Sequence, residues 1–418
     1  MLEKTVLDCG LTILSEYRPE LPSFSISYSL RSGSRTETTH NNGIHHLVEH
    51  VMFKGSQNYD LKQIARISDQ LGGNLNAFTG KEITQFYLTA IDERFKLSFD
   101  LLTDIIVNAT FPEEEFFKEI NVIVQEIKET EDTPDSHAFE IFYQQVFEDN
   151  PLGFPISGKQ DQVLLLTQEE AFQFYKKKYS PENLVLSAAG NIDHYTLVKE
   201  AQNYFSGFRR KLPVDFSFRK PDISFKTVAK NRETIKQTYV LIGFRGVSIV
   251  SPIRIKFLLM NEILGSGMSS RLFQRIREEK GLAYTIHSFL DFFLDTGLIV
   301  VYSIVEAEKV SEYLESVRSV IQEMKQKGIS KEELGRAKDH LKSSIILGLE
   351  SNMSKMRFNV NQDLFLKREL KINELLEDIN ETSVKDINKL LDVHLNIDRA
   401  SLLLYGNVNE EKYRNHVF

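Results

Sequence analysis

The spacing of hydrophobic residues divides this chain into short strands and amphipathic helices. Residues 83–90 alternate in the way that is typical of a half-buried strand, whereas residues 310–327 carry apolar side chains at helical spacing. The two kinds of segment are interleaved without the regular strand–helix–strand spacing of a doubly wound parallel sheet. The pattern therefore predicts an α+β fold with mixed or antiparallel sheets and packed helices.

Two pairs of similar segments indicate an internal repeat. Residues 183–192 and 400–408 each contain a short apolar strand that is closed by Gly-Asn. Residues 27–33 and 241–246 each run from a strand-like stretch into arginine and then glycine. Both pairs are offset by about 215 positions, which predicts a duplicated unit of about 200 residues. The alternative is two unrelated α+β domains that share strand endings.

The junction between the halves is expected in a basic stretch that is interrupted by proline. Residues 209–215, continuing to 220–222, show no helical periodicity, and this is typical of an exposed linker. We therefore predict a first half over residues 1–208, a linker over 209–225 and a related second half over 226–418.

Composition excludes several classes of function. The chain has 418 residues, of which 41% are hydrophobic and 26% charged, as in globular proteins. Its net charge of −8 argues against a general nucleic-acid coat. Its apolar stretches are too short to span a membrane, and its start resembles neither a secretory signal nor a transit peptide. A single cysteine, Cys9, excludes an intrachain disulfide. We expect a cytoplasmic protein.

The strongest chemical signal is a His-x-x-Glu-His motif formed by His46, Glu49 and His50. Asn42 before the motif and Gly55 after it are typical of helix boundaries. On a helix, the three motif residues share one face. Two imidazoles four residues apart can bind one metal ion, and the carboxylate between them can reach a metal-bound water. The alternative is a polar helix face with two solvated histidines.

A third ligand is needed, because a catalytic zinc ion usually takes three protein ligands and keeps one position open. A helix is predicted over residues 112–129, which begin with proline and acidic residues and continue with apolar residues at helical spacing. Glu119 and Glu126 lie two turns apart on one face of this helix. Taken alone, such a pair is more typical of a solvated face than of a metal site.

In combination, these residues closely resemble the pitrilysin and mitochondrial-processing-peptidase class of zinc peptidases, the inverzincins. Residues 71–82 are similar to that family's Gly-Gly-x-x-Asn-Ala strand. Residues 267–273 and 277–284 are similar to its second-domain signature, so the resemblance spans nearly the whole chain. It implies a zinc peptidase whose two halves enclose a chamber and cut short or unfolded peptides held extended between them.

The resemblance also assigns roles to individual residues. It implies that His46, His50 and Glu126 bind zinc and that Glu49 is the general base for a metal-activated water. It places Glu119 behind a ligating imidazole, where a hydrogen bond from the carboxylate fixes the orientation of the ring. The sequence leaves open which of the two histidines Glu119 contacts.

Substrate contacts are expected from both halves. The counterparts of Arg277 and Tyr284 in the family reach the substrate carbonyl, and both side chains are suitable donors to a developing oxyanion. The alternatives are a surface arginine and a half-buried aromatic. Asn76, Ala77 and Phe78 are expected on an edge strand that holds an extended peptide by strand addition. For this segment the alternative is an ordinary interior strand.

Two departures from the family pattern bear on the metal site. His45 is an extra histidine about 100° around the helix from His46, so we expect it to be a neighbour rather than a ligand. The corresponding helix of the second half, residues 256–265, contains no histidine. Only the first half is therefore expected to bind metal.

Related proteins also serve as non-catalytic subunits or as subunits that need a partner chain. The complete metal set, together with Arg277 and Tyr284 on the same chain, favours an active endopeptidase or oligopeptidase. From the resemblance we expect a homodimer with peptide substrates and without nucleic-acid or membrane partners.

Overall fold

The structure is a computed structural model that describes residues 1–210, 218–414 and 418. The strands are β1 (Leu2–Val6), β2 (Thr12–Tyr17), β3 (Ser23–Leu30), β4 (Asn74–Thr79), β5 (Thr84–Ile91), β6 (Leu184–Gly190), β7 (Thr227–Asn231), β8 (Gln237–Arg245), β9 (Ala283–Phe292), β10 (Gly297–Glu306) and β11 (Ser401–Gly406). The helices are α1 (Ile44–Met52), α2 (Leu61–Leu71), α3 (Phe95–Val107), α4 (Glu113–Asp132), α5 (Pro134–Phe147), α6 (Gln160–Val163), α7 (Gln168–Lys178), α8 (His194–Phe205), α9 (Arg254–Asn261), α10 (Val310–Lys327), α11 (Lys331–Gly348), α12 (Asn352–Asn361), α13 (Ile372–Glu381), α14 (Val384–His394) and α15 (Glu410–Tyr413).

The strands form two mixed sheets with a common topology. Their orders are β1-β2-β6-β3-β5-β4 and β7-β11-β8-β10-β9. In each sheet one pair is parallel, β2 with β6 and β7 with β11, and the other pairs are antiparallel. Apart from β1, each strand of the second sheet holds the place of the strand with the same rank in the first. The predicted α+β class with two related halves is confirmed.

The chain forms two compact units that are not continuous in sequence. The first unit comprises Met1–Glu129, Phe154–Phe218 and Gly348–Glu369, and the second comprises Thr130–Gly153, Arg219–Leu347 and Leu370–Phe418. The predicted halves therefore differ from the observed units in two segments, because α5 belongs to the second unit and α12 to the first. Within the predicted linker, residues 211–217 lie outside the described residues.

Helix α5 joins the second unit because its apolar face completes the core of that unit. Its side chains Phe142 and Val146 are fully buried and cluster with Leu241 and Leu403 of the sheet. The Phe142 ring lies so close to Gly243 that a Cβ atom at this glycine would be 2.5 Å from it. The helix and the sheet therefore fit each other by shape as well as by hydrophobicity.

Helix α12 packs over β2, β6 and β3 of the first sheet, and several of its contacts there are hydrogen bonds or ion pairs of polar side chains. Asn352 Nδ2 donates to the carbonyl oxygen of Ser23 at 3.0 Å, and Lys355 lies 3.2 Å from a carboxylate oxygen of Glu16. Arg357 donates to Gln85 Oε1 at 3.3 Å. Amphipathicity alone does not reveal which sheet such a helix covers, since contacts of single polar side chains help to place it.

The opposite face of the first sheet holds the main core of the first unit, to which α1 contributes. Leu47, Val48, Val51 and Met52 of this helix are fully buried in that core. The helix also packs against β4. Because the apolar face of α1 is buried in this core, its polar face points away from the core and towards neighbouring polar residues. Among the described helices, none combines the length and apolar character that crossing a bilayer requires.

Candidate metal centre

Helix α1 positions the two histidines of the motif. It begins one residue later than the Asn42 boundary predicts, because Gly43 is the N-cap and has a φ of 94°. A Cβ atom at Gly43 would lie 2.8 Å from the carbonyl oxygen of Ser157, so both the backbone conformation and the space favour glycine. The helix ends at Met52, followed by Phe53 at the C-cap. The short helix predicted around the motif is therefore present.

Three side chains from two helices converge, and they are the three that the family resemblance implies as ligands. Nε2 of His46 and Nε2 of His50 lie 3.8 Å and 3.7 Å from the same oxygen of Glu126, which α4 supplies. One ligand atom from each of the three residues lies within 4.8 Å of the others. Donors that bind one zinc ion tetrahedrally at its usual bond lengths are about 3.3 Å apart. The two distances to Glu126 exceed this value by about half an ångström, so a zinc ion would have to draw the imidazoles and the carboxylate closer together.

The candidate centre is open on one side. The side chains of His46 and His50 are 18% and 17% exposed, whereas Glu126 is 42% exposed. A closed structural zinc site uses four protein ligands, and a catalytic one keeps a position for water or substrate. Three converging ligands with partial exposure match the second arrangement.

Glu119 contacts His50, which answers the question that the sequence left open. Its carboxylate lies 3.0 Å from Nδ1 of His50 and 2.7 Å from Nζ of Lys54. Burial alone would raise the pKa of Glu119, but the hydrogen bonds from His50 and Lys54 bring this pKa below its ordinary value. As a carboxylate, Glu119 accepts a hydrogen bond from the protonated Nδ1 of His50. Nε2 of His50 is then unprotonated and faces Glu126.

The two histidines have different electrostatic surroundings. Burial, together with the neighbouring His50, lowers the pKa of His46 to about 4. Burial would lower the pKa of His50 as well, but the hydrogen bond to Glu119 and the charges of Glu126 and Glu49 raise it above its ordinary value. His46 is therefore neutral at ordinary pH, which is the form that binds a metal ion. Its Nδ1 is buried and has no hydrogen-bond partner among the described residues.

Glu49 lies next to the three converging side chains without being one of them. It is only 9% exposed, and the hydroxyl of Thr79 on β4 donates a hydrogen bond to its Oε2. Burial raises the pKa of Glu49 above its ordinary value, although Thr79 and His50 offset part of the effect. A carboxylate with a raised pKa is a better proton acceptor, as a general base requires.

Strand β4, which contains Asn76, Ala77 and Phe78, is an edge strand. It ends the order of the first sheet and pairs with β5. The alternative of an interior strand is therefore wrong. This outermost strand among those described also carries Thr79, the partner of Glu49, so its end lies beside the candidate centre.

Arg277 and Tyr284 lie in the second unit and contact each other. Arg277 belongs to a π-helical segment, Phe273–Glu279, and its guanidinium carbon lies 4.5 Å from the centre of the Tyr284 ring. Tyr284 is 81% exposed, so the alternative of a half-buried aromatic is wrong. The arginine is held over the ring as a cation–π pair, and its side chain is about one-third exposed.

Sequence reasoning missed three residues around the centre, namely Glu37, Lys54 and Thr79. Lys54 follows His50 by one helical turn, and this spacing is a signal that could have placed it near Glu119. Glu37 and Thr79 lie outside α1, on a loop and a strand, and no spacing in the sequence connects them to the motif. His45, expected to be a neighbour only, points its ring at Glu37.

Two family models match the chain. Residues 12–160 match the model described as "Insulinase (Peptidase family M16)". Residues 166–341 match the model described as "Peptidase M16 inactive domain". The metal motif and Glu126 fall within the first match, and Arg277 and Tyr284 fall within the second.

Curated relatives and solved structures match over nearly the full length. An uncharacterized zinc protease of Bacillus subtilis, YmxG, is 32% identical over 390 residues, which cover 93% of this chain and 95% of the relative. An uncharacterized zinc protease of Rickettsia felis is 36% identical over 82% of both chains. The crystal structure of a protease from Helicobacter pylori matches with a TM-score of 0.89 at 18% identity, covering 97% of this chain and 99% of the other.

A second solved structure has a similar likeness. The peptidase M16 inactive domain from Pseudomonas fluorescens matches with a TM-score of 0.90 at 19% identity, covering 97% of this chain and 98% of the other. At such identities the two structural matches show a shared fold and nothing more. The relatives named as zinc proteases, which are 32% and 36% identical, show the family.

Proposed function

The chain belongs to the insulinase family of peptidases, peptidase family M16, and on this basis we propose that it is a zinc-dependent peptidase that cuts short or unfolded peptides. His46, His50 and Glu126 hold the zinc ion. The observation that carries the proposal is the convergence of these three ligand atoms within 4.8 Å, on an open side of α1. The donor set of two imidazoles and one carboxylate is one that zinc prefers.

A bound zinc ion would supply Lewis acidity, which lowers the pKa of water and polarises a carbonyl group. Glu49 takes the proton from the attacking water and delivers it to the leaving amine. Thr79 donates to Oε2 of Glu49, so this oxygen is held and the carboxylate keeps one orientation. Glu119 holds His50 in the tautomer whose Nε2 carries the lone pair.

In this proposal the peptide pairs with the free edge of β4. Main-chain hydrogen bonds to a strand edge fix an extended peptide largely irrespective of its side chains. Asn76 and Phe78 flank Ala77 on this strand, and their side chains lie on the face opposite to Thr79 and Glu49. Alternate side chains of the bound peptide therefore face the metal centre.

The proposal gives Arg277 and Tyr284 the part of donors to the substrate carbonyl. The partly exposed guanidinium of Arg277 and the hydroxyl of the exposed Tyr284 are suitable for that part. The homodimer, the cytoplasmic location and the chamber between the halves stay predictions.

The test replaces the base without replacing a ligand. We expect Glu49→Gln to retain bound zinc and to lose turnover of quenched fluorescent peptides by about a thousandfold, since general-base catalysis contributes on that order. Metal content is measured by mass spectrometry and turnover with peptides of graded length. Glu129→Gln, which makes the same change at an exposed position of α4, is the matched control.

Two outcomes would contradict the proposal. Retained turnover in Glu49→Gln would remove this residue from the mechanism. Wild-type protein that holds one zinc ion and cuts no peptide of any length would favour the non-catalytic alternative.

A further inference from the structure

A fully buried polar cluster lies at the start of α1 and has no part in the proposed mechanism. It consists of Ser32, Glu37, Asn42 and His45, none of which is more than 3% exposed. Polar groups are costly to bury unless each of them is hydrogen-bonded. A cluster of this kind beside a metal-binding helix therefore needs an explanation.

The carboxylate of Glu37 is the centre of the cluster. One oxygen accepts from Asn42 Nδ2 and from the main-chain nitrogen of Gly43, both at 2.8 Å. The other oxygen accepts from the main-chain nitrogen of His45 and lies 3.0 Å from its ring Nδ1. The N-cap of α1 supplies no side-chain hydrogen bond of its own. Glu37 therefore caps the first turn of α1 from outside the helix, where a negative charge also stabilises the helix dipole.

The ring of His45 is held on both of its nitrogen atoms. Because a carboxylate only accepts, Nδ1 carries the proton that is donated to Glu37. Nε2 then accepts from the hydroxyl of Ser32 at 2.9 Å. The edge of the ring also packs against Phe174, with the ring centres 4.7 Å apart. His45 is therefore committed to the cluster and is not part of the group of metal-ligand atoms.

The two histidines that face Glu126 are supported in different ways. His50 is oriented directly by Glu119. The buried Nδ1 of His46 has no hydrogen-bond partner among the described residues. The direction of the His46 ring therefore depends on the backbone of the first turn of α1, and this is the segment that Glu37 and His45 hold.

We propose that Glu37 and His45 are positioning residues for the metal centre, which replace the missing hydrogen bond to His46 by fixing the first turn of α1. The inference rests on the proposed function for the identity of the three ligands. It does not depend on peptide hydrolysis, because its readout is zinc affinity.

The first test is Glu37→Gln. An amide has one acceptor oxygen, so in either orientation two of the donors around residue 37 lose their acceptor. We expect zinc affinity, measured by competition with a chromophoric chelator, to fall by about tenfold to a hundredfold, as for other groups that orient metal ligands. Circular dichroism at the same temperature establishes that the variant is folded.

The matched control is Asp104→Asn. Asp104 is a buried carboxylate of the same unit that accepts hydrogen bonds from Ser56, Asn58 and Asn108, away from the first turn of α1. We expect it to lower the thermal midpoint as Glu37→Gln does, while zinc affinity changes less than about twofold. Equal losses of zinc affinity in the two variants would overturn the proposal, since they would show that affinity follows general stability.

A second pair of variants tests His45 itself. Asparagine places an N–H group near the position of Nδ1, and glutamine places one near Nε2. We therefore expect His45→Asn to keep zinc affinity close to that of the wild type and His45→Gln to lose about tenfold. Equal affinities in the two variants would contradict a role that acts through Glu37.

Double variants identify which ligand is being positioned. In a His46→Ala background, Glu37→Gln is expected to cause no further loss of zinc affinity. In a Glu119→Gln background, which affects His50 instead, the two losses are expected to multiply. The opposite pattern, with coupling to Glu119 and none to His46, would overturn the assignment.

Discussion

Helix α1 of the first unit and helix α9 of the second hold the same place in the repeated topology, and they use it differently. Glu49 of α1 bonds to Thr79 on the edge strand β4. Asn261 of α9 bonds to Ser288 on the edge strand β9, donating to the main-chain oxygen at 3.1 Å and accepting from the hydroxyl at 2.7 Å. The contact between helix and edge strand is kept in both units. Only in the first unit does it hold a carboxylate.

A second contact is present in both units, but the histidine and the carboxylate have exchanged places. In the first unit His50, the residue after Glu49, pairs with Glu119 of α4. In the second unit Glu262, which follows Asn261, pairs with His340 of α11, with Nδ1 and Oε2 2.8 Å apart. Both pairs link corresponding parts of the two units, since Glu262 begins the π-helical segment Glu262–Ser266 that directly follows α9. A histidine–carboxylate pair at this position is therefore a property of the fold, and it does not by itself indicate a metal site.

What distinguishes the first unit is the pair of additional candidate ligands, His46 and Glu126. By the same register, His46 corresponds to Leu258 in the second unit. Phe257 and Met260 of α9 are fully buried. The second unit thus has the corresponding helix, and that helix packs through buried apolar side chains. The comparison teaches that the architecture does not depend on the three candidate ligands, so their presence in the first unit calls for a functional explanation.

The largest expected effect comes from removing the ligand on α4. We predict that Glu126→Gln lowers zinc affinity by about a thousandfold or more, equivalent to about 4 kcal/mol, because a neutral amide replaces one of three ligands. Equilibrium dialysis with zinc measures the change, and Glu129→Gln on the same helix serves as control. Unchanged affinity would make the first unit like the second, with a histidine–carboxylate pair and no metal centre.

The next effect tests the contribution of the second unit. We predict that Arg277→Ala lowers turnover by about a hundredfold at unchanged zinc content, the usual cost of losing one oxyanion donor. Arg275→Ala is the control, because Arg275 is a neighbouring arginine that pairs with Glu279 and Glu323. Unchanged kinetics in Arg277→Ala would leave that residue with a packing role on Tyr284.

A smaller effect concerns the counterpart of Glu49. We predict that Asn261→Ala lowers the free energy of unfolding by about 1–3 kcal/mol, because the buried hydroxyl of Ser288 loses its acceptor. Zinc affinity should stay as in the wild type. Urea denaturation measures the first quantity and dialysis the second. A change in zinc affinity would contradict the view that α9 has a purely structural role.

The smallest effect depends on pH and concerns an acidic residue of α11. Glu333 forms a paired contact with Arg271, at 2.6 Å and 2.9 Å, and this contact lowers the pKa of Glu333 to about 2. A lowered carboxyl pKa stabilises the fold above the ordinary range near 4.5 and loses that effect as the pH falls towards 2.

We therefore predict that Glu333→Gln costs about 1–2 kcal/mol at pH 6, after allowance for solvent screening, and costs nothing near pH 2. Denaturation at several pH values measures the difference. Glu332→Gln on the same helix, with a side chain that is 84% exposed, should change little at any pH. A constant cost of Glu333→Gln across this range would contradict the assignment of the effect to the ion pair.

Helical spacing predicted the motif of α1, whereas the link from that motif to Glu119 and Glu126 of α4 came from the resemblance to a family. The motif of α1 and the two acidic residues of α4 are each periodic within one helix. Glu37 is different, because it lies on a loop before the helix and no helical spacing connects it to the motif. The exchange of α5 and α12 was also beyond the sequence, because periodicity identifies an apolar or polar face and not the sheet that covers it.

The exchange of these two helices has a consequence for dividing the molecule. An N-terminal fragment that ends between the halves would contain α5 but not the sheet against which α5 packs. It would also lack α12, so the face of β2, β6 and β3 that α12 covers would be exposed to solvent. Each fragment would carry the missing piece of the other. Co-expressed fragments are therefore expected to reassociate, and either fragment expressed alone is expected to be less stable than the whole chain.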